Sequence, residues 1–154
     1  MDTPERLTSE PSVGLRRTAR ECALQMLYEF DVGKHAPGEI LDTFWEMNDQ
    51  PDRVRDFADQ LFRGTVERLK ELDASIQKHA RNWRLKRMAA VDRNILRLAV
   101  HELTSDHRTP ATVVINEALE IAKKFSTNES AQFVNGILDS IKNEIRVQPA
   151  EETP

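Results

Sequence analysis

The sequence predicts an all-α fold of two stacked small helical bundles with about seven helices. Three observations favour this fold class. Only five glycines occur in 154 residues, the strand-like alternation of apolar and polar residues is absent, and apolar residues recur at helical spacing in several segments. A chain of this length buries roughly 70% of its unfolded surface on folding, so its core needs no disulfide or metal.

In the N-terminal half, the apolar stripes predict three helices. The first stripe runs from Ala19 to Phe30, and the turn that follows is centred on His35–Gly38. Asp52 comes directly after Pro51 and is predicted to cap a long third helix. The three predicted helices span about Leu15–Asp31, Glu39–Met47 and Asp52–Ile76.

In the C-terminal half, a connector at Asn82–Ala90, with room for a helical turn, precedes three more helices. The first of these helices is expected to be central, because its apolar residues cover most of its circumference. Thr109–Pro110 predicts a helix start, because proline in the first turn loses no needed donor. Thr127 or Asn128 is predicted to cap the last helix. The helices span about Val91–Ser105, Pro110–Phe125 and Asn128–Ile145. The predicted domain organisation is a disordered extension at 1–14, bundles at about 15–81 and 82–146, and a disordered tail at 147–154.

Composition argues against several classes of protein. Cys22 is the only cysteine, so an internal disulfide and a multi-cysteine zinc site are excluded, which favours a reducing cytoplasm. No apolar run is long enough to span a bilayer, and Met1–Glu10 lacks the apolar core of a secretory signal. The four histidines form no His-x-x-x-His pair, and there is no Gly-rich phosphate loop. We therefore expect neither catalysis nor a cofactor.

Charge is segregated along the chain. The net charge is −4, yet Gly14–Arg20 holds three arginines and no acid, and Lys78–Arg87 holds five Lys or Arg and no acid. Distribution matters more than net charge for nucleic-acid binding. The second run either extends an RNA-binding surface or is a solvated run of charge, which is the commoner case.

The first basic run lies at the start of the first helix. At about 100° per residue, Arg17, Arg20 and Tyr28 point away from the apolar stripe, with Leu24 between them. Guanidinium groups bind phosphates and aromatic rings stack on unpaired bases. The alternative is that the arginines solvate the helix start while Leu24 and Tyr28 pack on the other bundle.

Phe133 is the second aromatic candidate. It lies about 100° from the apolar stripe of the last helix, so it is either packed or partly exposed as a stacking platform. Asn135 offers a donor and an acceptor to RNA. Gly136 costs about 1 kcal/mol relative to alanine inside a helix, which suggests a close approach of another group. Helix-on-helix packing explains these residues equally well.

Five segments together carry a family resemblance. They read RRTARECALQMLY at Arg16–Tyr28, NWRLKR at Asn82–Arg87, VDRNILRLAVHEL at Val91–Leu103, VINEALEIAK at Val114–Lys123 and FVNGIL at Phe133–Leu138. In this order and spacing they closely resemble the NusB family of transcription antitermination factors, over about residues 15 to 145. The resemblance implies two stacked three-helix bundles, which agrees with the helices predicted above.

The resemblance also implies a function and its partners. It implies binding to the single-stranded boxA element of ribosomal RNA leaders together with the ribosomal protein NusE. Other Nus factors and RNA polymerase are then indirect partners, and a homodimer that hides the RNA face stays open. A free-standing RNA-binding or scaffold module in ribosomal RNA maturation is the alternative. NusB-like domains fused to RNA methyltransferases are a further relative, disfavoured because the chain ends shortly after the last helix.

By matching position, the resemblance also implies roles for individual residues. Asp92 is the candidate for the partner face, assisted by Arg93, although both residues could simply cap a helix start. Glu129 would repel phosphate near the RNA. The acidic extension before Arg16 either competes with RNA or is inert. The implied RNA-binding residues are Arg16, Arg17 and Arg20 for the backbone, Tyr28 and Phe133 for bases with Asn135 beside them, and Lys123 and Lys124 as supporting charges; all are expected on one outer surface.

Overall fold

The computed structural model describes residues 13–105 and 108–147, and every regular element within these ranges is a helix. The all-α fold class with about seven helices is thereby confirmed. The disorder predicted for residues 1–12 and 148–154 lies outside the described residues, whereas Val13, Gly14 and Val147, which the same prediction included, are helical. The seven α-helices of the described ranges are α1 (Val13–Tyr28), α2 (Pro37–Met47), α3 (Asp52–Glu67), α4 (Leu69–His79), α5 (Ala90–Ser105), α6 (Ala111–Phe125) and α7 (Asn128–Val147).

The chain forms two compact units, of which the first ends at Arg63. Its core contains the stripe predicted for α1, since the side chains from Ala19 to Leu27 on that face are buried. After α1 the backbone widens into a π-helical turn at Glu29–Gly33. Phe30 in this turn packs edge to face on Phe62, with ring centroids 6.5 Å apart.

The second unit begins at Gly64, and α5 is its central helix. Eleven of the sixteen residues of α5 are buried, and α5 packs on α4, α6 and α7, as its apolar circumference predicts. Arg97 on α5 donates from Nε and Nη2 to both carboxylate oxygens of Asp73 on α4, at 2.7 and 2.9 Å. This paired hydrogen bond holds α4 in the second unit, whereas the sequence placed the division near residue 81.

The long third helix predicted from the stripe is in fact two helices. The backbone N–H of Arg68 is shared between the carbonyls of Gly64 and Thr65, both at 3.2 Å, and Arg68 has φ −104° and ψ 17°. The apolar spacing continues from α3 into α4, and spacing alone does not record such a local break. The prediction of one continuous helix was therefore wrong.

Gly64 explains the crowding next to this break. A Cβ built at Gly64 would overlap Nε2 of His101, so a larger residue at this position would require the His101 ring to shift. Arg68 Nη1 lies 3.0 Å from Nδ1 of His101. Burial, followed by the nearby Arg68 charge, lowers the pKa of His101 below its ordinary 6.5.

Helix starts differ from the predictions by about one residue. The Pro51 carbonyl accepts the first hydrogen bonds of α3, which makes Asp52 the first helical residue and not the cap. Pro110 likewise precedes the first residue of α6. Thr127 caps α7 as predicted, because its Oγ1 accepts from the Ser130 N–H at 2.9 Å.

Candidate nucleic-acid interface

The arginines of α1 lie against an aromatic ring of the same unit. The guanidinium carbons of Arg16 and Arg20 lie 4.9 and 5.5 Å from the centre of the Phe57 ring on α3. A cation over an aromatic face is held by the negative face of the ring. Arg16 and Arg17 remain half-buried, while Arg20 is only 4% exposed.

This burial corrects the prediction that Arg20 and Leu24 face outward. Both side chains are buried, with Leu24 3% exposed. On an isolated helix, Arg20 and Leu24 would point away from the apolar stripe. In the folded chain this second side of α1 is buried as well, with the Phe57 ring against Arg20. The spacing of apolar residues within one helix does not show that another helix packs on its polar side. Tyr28 is 42% exposed, so the outward direction predicted for its ring is confirmed.

In the second unit, the predicted Phe133 contacts an aromatic residue that the sequence reasoning left out of the site. The rings of Phe133 and Trp83 are 6.0 Å apart at an interplanar angle of 78°, which is a favourable edge-to-face pair. Phe133 is half-buried, and Trp83 is 56% exposed. The signal that could have found Trp83 is an aromatic residue in the middle of a basic run.

Lys123 and Asn135 lie together in a groove between α6 and α7. The groove has a volume of about 450 Å³ and is lined by Leu119, Lys123, Asn128, Ala131, Gln132 and Asn135. Three side-chain amides and one ammonium group therefore face the same space. Lys123 is also 3.5 Å from the Glu120 carboxylate in an exposed ion pair, and Lys124 lies over the Phe125 ring at 5.4 Å.

The close approach of another group that the sequence predicted at Gly136 is not observed. A Cβ built on this residue meets nothing within 4 Å, so no described group approaches its backbone closely. Gly64 in α3, in contrast, does have a side chain from another helix packed closely against it. Helix propensity identifies both as unfavourable residues, but only the neighbouring helix decides which one is needed.

We call Arg81–Arg87 the basic connector, and the side chain of Gln77 holds it in place. Gln77 Nε2 donates to the carbonyls of Ala80 and Trp83 at 3.1 and 2.7 Å, and its Oε1 accepts from the Leu85 N–H at 3.0 Å. The connector then forms a short 3₁₀ turn at Leu85–Arg87, which confirms the predicted helical turn.

Arg93, predicted for the partner face, also supports the basic connector. Its Nη1 donates to the carbonyls of Leu85 and Met88, at 3.2 and 3.1 Å. These acceptors belong to the first residue of the 3₁₀ turn and to the residue that directly follows the turn. Arg93 therefore has a structural role in holding the connector, but it does not cap the start of α5, because a guanidinium has only donors and the free N–H groups of a helix start need acceptors.

Acids compensate only part of the basic run from Lys78 to Arg87. Glu144 on α7 accepts from Lys78 Nζ and lies 2.9 Å from His79 Nε2. The Lys78 and His79 hydrogen bonds lower the pKa of Glu144 below its ordinary 4.5. In contrast, four exposed cations of the basic connector form no ion pair with any described residue: Arg81, Arg84, Lys86 and Arg87.

Asp92 lies at the start of α5 and is 8% exposed. Its Oδ2 accepts from Ser130 Oγ at 3.0 Å. Its Oδ1 is buried and has no hydrogen-bond partner. A buried carboxylate oxygen without a donor reduces stability, so Asp92 is held at this position at a cost in folding free energy.

The remaining features concern the cysteine thiol, metal-ligating side chains and membrane-spanning helices. Burial, with a smaller contribution from Glu21, raises the pKa of the Cys22 thiol to about 11, so this buried thiol stays protonated and unreactive at neutral pH. Within the ranges 13–105 and 108–147, no group of three His, Cys, Asp or Glu residues could hold a metal ion. In the same part of the chain, no helix is both long and apolar enough to cross a membrane.

Comparisons with known proteins identify the family. The model of the NusB family matches residues 17–143. The transcription antitermination protein NusB of Koribacter versatilis is 52% identical over 133 residues, which cover 86% of this chain and 91% of the relative.

Solved structures agree with the sequence comparison. NusB of T. maritima superposes with a TM-score of 0.76 at 37% identity, covering 84% of this chain and 91% of that one. A chain from the crystal structure of antitermination factors NusB and NusE in complex with dsRNA gives a TM-score of 0.79 at 29% identity, covering 86% and 99%. The matches extend through both units, and the chain therefore belongs to the NusB family.

Proposed function

We propose that the chain is an RNA-binding transcription antitermination factor that acts in the cytoplasm and has no catalytic activity of its own. Family membership and the name of the Koribacter relative support this function. The single observation that carries the proposal is that each unit has cationic side chains and a partly exposed aromatic ring on the same segment: Arg16, Arg17 and Tyr28 on α1, and Trp83 among the exposed cations of the basic connector. This combination fits an unpaired polynucleotide, which offers phosphates and base faces together.

In the first unit, Arg16 and Arg17 bind the RNA backbone and Tyr28 contacts a base. Arg16 is half-buried and its guanidinium rests on Phe57, so its position is defined before RNA binds. The buried Arg20 acts through the same ring: it positions Phe57 and Arg16 and does not itself reach a phosphate. A fixed guanidinium loses less conformational entropy on binding than a mobile one.

In the second unit, Phe133 contacts a base and Asn135 binds a neighbouring polar group. Lys123 shares the groove of Asn135 and supplies positive charge there, and Lys124 adds to it from the end of α6. Asn135 carries both a donor and an acceptor, so it can bind either a base edge or a phosphate. The four residues thus provide base contact, polar recognition and charge on α6 and α7.

The proposed protein partner is NusE, and Asp92 marks the surface that receives it. NusE occurs with NusB and dsRNA in one of the solved complexes. Asp92 lies in the first turn of α5 and is 8% exposed, so the proposed contact with the partner involves the accessible edge of this residue and not the buried Oδ1. Other Nus factors and RNA polymerase are indirect partners, and a homodimer stays a prediction.

The proposal is tested by titrating the full chain with a fluorescent boxA-like single strand, alone and with NusE. We expect weak binding alone and tighter binding with NusE. The logarithm of the affinity should fall with the logarithm of salt concentration, by about 0.7 per neutralised phosphate. A double-stranded form of the same sequence serves as competitor, and more effective competition by the duplex would contradict the single-strand preference.

The arginine assignment is tested by Arg16→Gln together with Arg17→Gln. The salt slope should decrease by about 1.4 if each side chain neutralises one phosphate. Arg63→Gln is the matched control, because Arg63 is an exposed cation of the same unit and is absent from the proposed site. Circular dichroism confirms that helicity is retained, and an unchanged slope in the double variant would overturn the assignment.

A further inference from the structure

We infer that the basic connector is an additional single-stranded RNA subsite, in which a base stacks on Trp83 and phosphates bind its four cations. This inference rests on the proposed function, because it extends the RNA surface that begins at Phe133. It assigns recognition to Arg81, Trp83, Arg84, Lys86 and Arg87, residues that otherwise only join α4 to α5 through a short 3₁₀ turn.

The first support is the exposure of Trp83. More than half of this large side chain stays accessible even though its ring contacts Phe133. Leaving an indole in water forgoes the free energy of its burial. A base stacking on the free part of the ring recovers that free energy, and Phe133 supports the ring from its edge. Because Phe133 is itself proposed to contact a base, the two rings provide adjacent contact sites for neighbouring bases of one RNA strand.

The second support is that the connector is held in a fixed conformation before any ligand binds. The Gln77 side chain bonds to the backbone of Trp83 and Leu85. Arg93 donates to the carbonyls of Leu85 and Met88, at the start of the 3₁₀ turn and directly after it. A loop of this composition without such bonds would lose conformational entropy on binding. The indole and the cations are therefore presented on a preformed surface.

The third support is the uncompensated charge. Lys78 and His79 are bound by Glu144, whereas the four connector cations form no ion pair with a described residue. Like charges this close in sequence repel one another until anions bind between them. Phosphate groups at the regular spacing of a nucleic acid supply those anions.

A single-stranded nucleic acid fits this surface better than an acidic protein does. Protein interfaces depend on a central patch of several large apolar side chains. The connector exposes one, Trp83, while Leu85 is half-buried and Met88 is buried. One flat ring among cations is the arrangement that stacking and phosphate contact require. Unpaired RNA, with accessible base faces, is therefore the proposed occupant.

Trp83 fluorescence provides a direct test. The chain has two tryptophans, and Trp45 is half-buried and donates to Asp59 at 2.7 Å. Trp45→Phe leaves Trp83 as the only reporter in the full chain. A boxA-like oligoribonucleotide extended by a uridine tract at either end, added with NusE, should quench this emission. The core oligoribonucleotide without the tract should quench less.

Affinity measurements separate the ring from the fold. Trp83→Ala should remove the gain in affinity that the tract provides, by roughly tenfold, because stacking contributes substantially for each base. Trp83→Phe should retain most of the gain, since it keeps an aromatic face. Binding of the core oligoribonucleotide should change little in both variants.

A charge variant tests the cations independently. Arg84→Gln together with Lys86→Gln should decrease the salt slope for the extended strand by about 1.4. Lys78→Gln is the matched control, since Lys78 belongs to the same run but is paired with Glu144. The control should leave the slope unchanged.

The possible outcomes distinguish the subsite from the proposed function. If the wild-type chain binds the core strand but Trp83→Ala keeps the full gain from the tract, the subsite is overturned and the function stands. If the connector variants weaken NusE binding and not RNA binding, the surface belongs to a protein and the inference is wrong. If the wild-type chain binds no RNA with NusE present, both proposals fail.

Discussion

Each unit contains a cluster of arginine and aromatic side chains, and the two clusters differ in how far these side chains are buried. On α1, the guanidinium groups of Arg16 and Arg20 lie over Phe57, and Arg20 is almost fully buried. In the basic connector, Trp83 stays exposed and the surrounding cations point into solvent.

The difference indicates that the same residue types stabilise the fold in one cluster and are available to a ligand in the other. In the α1 cluster, the cation–aromatic contact is part of the packing, so its loss should reduce stability first. In the connector, hydrogen bonds from Gln77 and Arg93 to the backbone maintain the conformation, so the side chains at the surface are available to a ligand. Four predictions, from the largest expected effect to the smallest, test this distinction.

Phe57→Ala should cause the largest loss of stability. It removes a half-buried ring and leaves Arg20 buried without its aromatic partner, so the free energy of unfolding should decrease by about 2–3 kcal/mol. Chemical denaturation monitored by circular dichroism measures this change. Trp83→Ala is the comparison, with an expected decrease below about 1 kcal/mol because that ring is mostly exposed. Equal losses in the two variants would contradict the distinction.

Gln77→Ala should loosen the connector with a smaller loss of stability. The substitution removes three hydrogen bonds and leaves the Leu85 N–H without its acceptor, so we expect a decrease of about 1–2 kcal/mol. Hydrogen exchange at the Leu85 amide should accelerate. Gln60→Ala, at an exposed position of α3, is the matched control and should change neither quantity. Unchanged exchange in Gln77→Ala would show that the connector is held by other contacts.

Gly136→Ala should have a small effect of the opposite sign. The added methyl group meets no atom within 4 Å, and alanine favours the helix by up to about 1 kcal/mol. The midpoint temperature of thermal unfolding should therefore rise slightly. Because Gly136 lies close to Phe133 in sequence, RNA titration of the same variant is informative. A loss of affinity with normal stability would indicate that RNA approaches this backbone closely.

The pH dependence contributed by Glu144 should be the smallest effect, because this ion pair is partly exposed. In the folded chain the pKa of Glu144 is lowered below 4.5 by hydrogen bonds from Lys78 and then His79. Between the lowered value and 4.5, the unfolded chain binds more protons, so this stability is present above pH 4.5 and is lost as the pH falls below it.

Glu144→Gln should weaken this acid dependence in denaturation curves recorded between neutral and acidic pH. Part of the dependence should remain, because the pKa of Glu71 is also lowered, by its hydrogen bond with Arg68. At neutral pH the same variant releases Lys78 and His79 beside the connector and should tighten RNA binding modestly. Identical acid dependence in wild type and variant would refute the contribution of Glu144.

Much of the fold followed from local patterns. The stripe of α1, the Thr127 cap and the central position of α5 depend on residues near one another in sequence, and the structure confirmed them. The break at Arg68 did not follow, because it consists of a change in the backbone angles and hydrogen bonding of one residue, which apolar spacing does not record. Apolar spacing is the same on either side of such a break.

The candidate site followed from sequence less completely. Exposure of Tyr28 was correctly predicted, since its direction on α1 is set by helix geometry. Arg20 was wrongly expected to face outward, because a ring from another helix covers it. The contact of Trp83 with Phe133 joins residues 50 positions apart in the chain, and no local pattern records it.

By itself, the sequence determined the helical class, the family and the identity of the charged and aromatic residues, because periodicity and motifs are properties of neighbouring residues. Only the tertiary structure decided which of those side chains are covered and which remain accessible. It placed Glu144 beside Lys78 and His79, Phe57 beneath the α1 arginines, and Gln77 beneath the connector. Exposure and charge compensation arise from helices packing against one another, and they determine which cations and rings can reach a ligand.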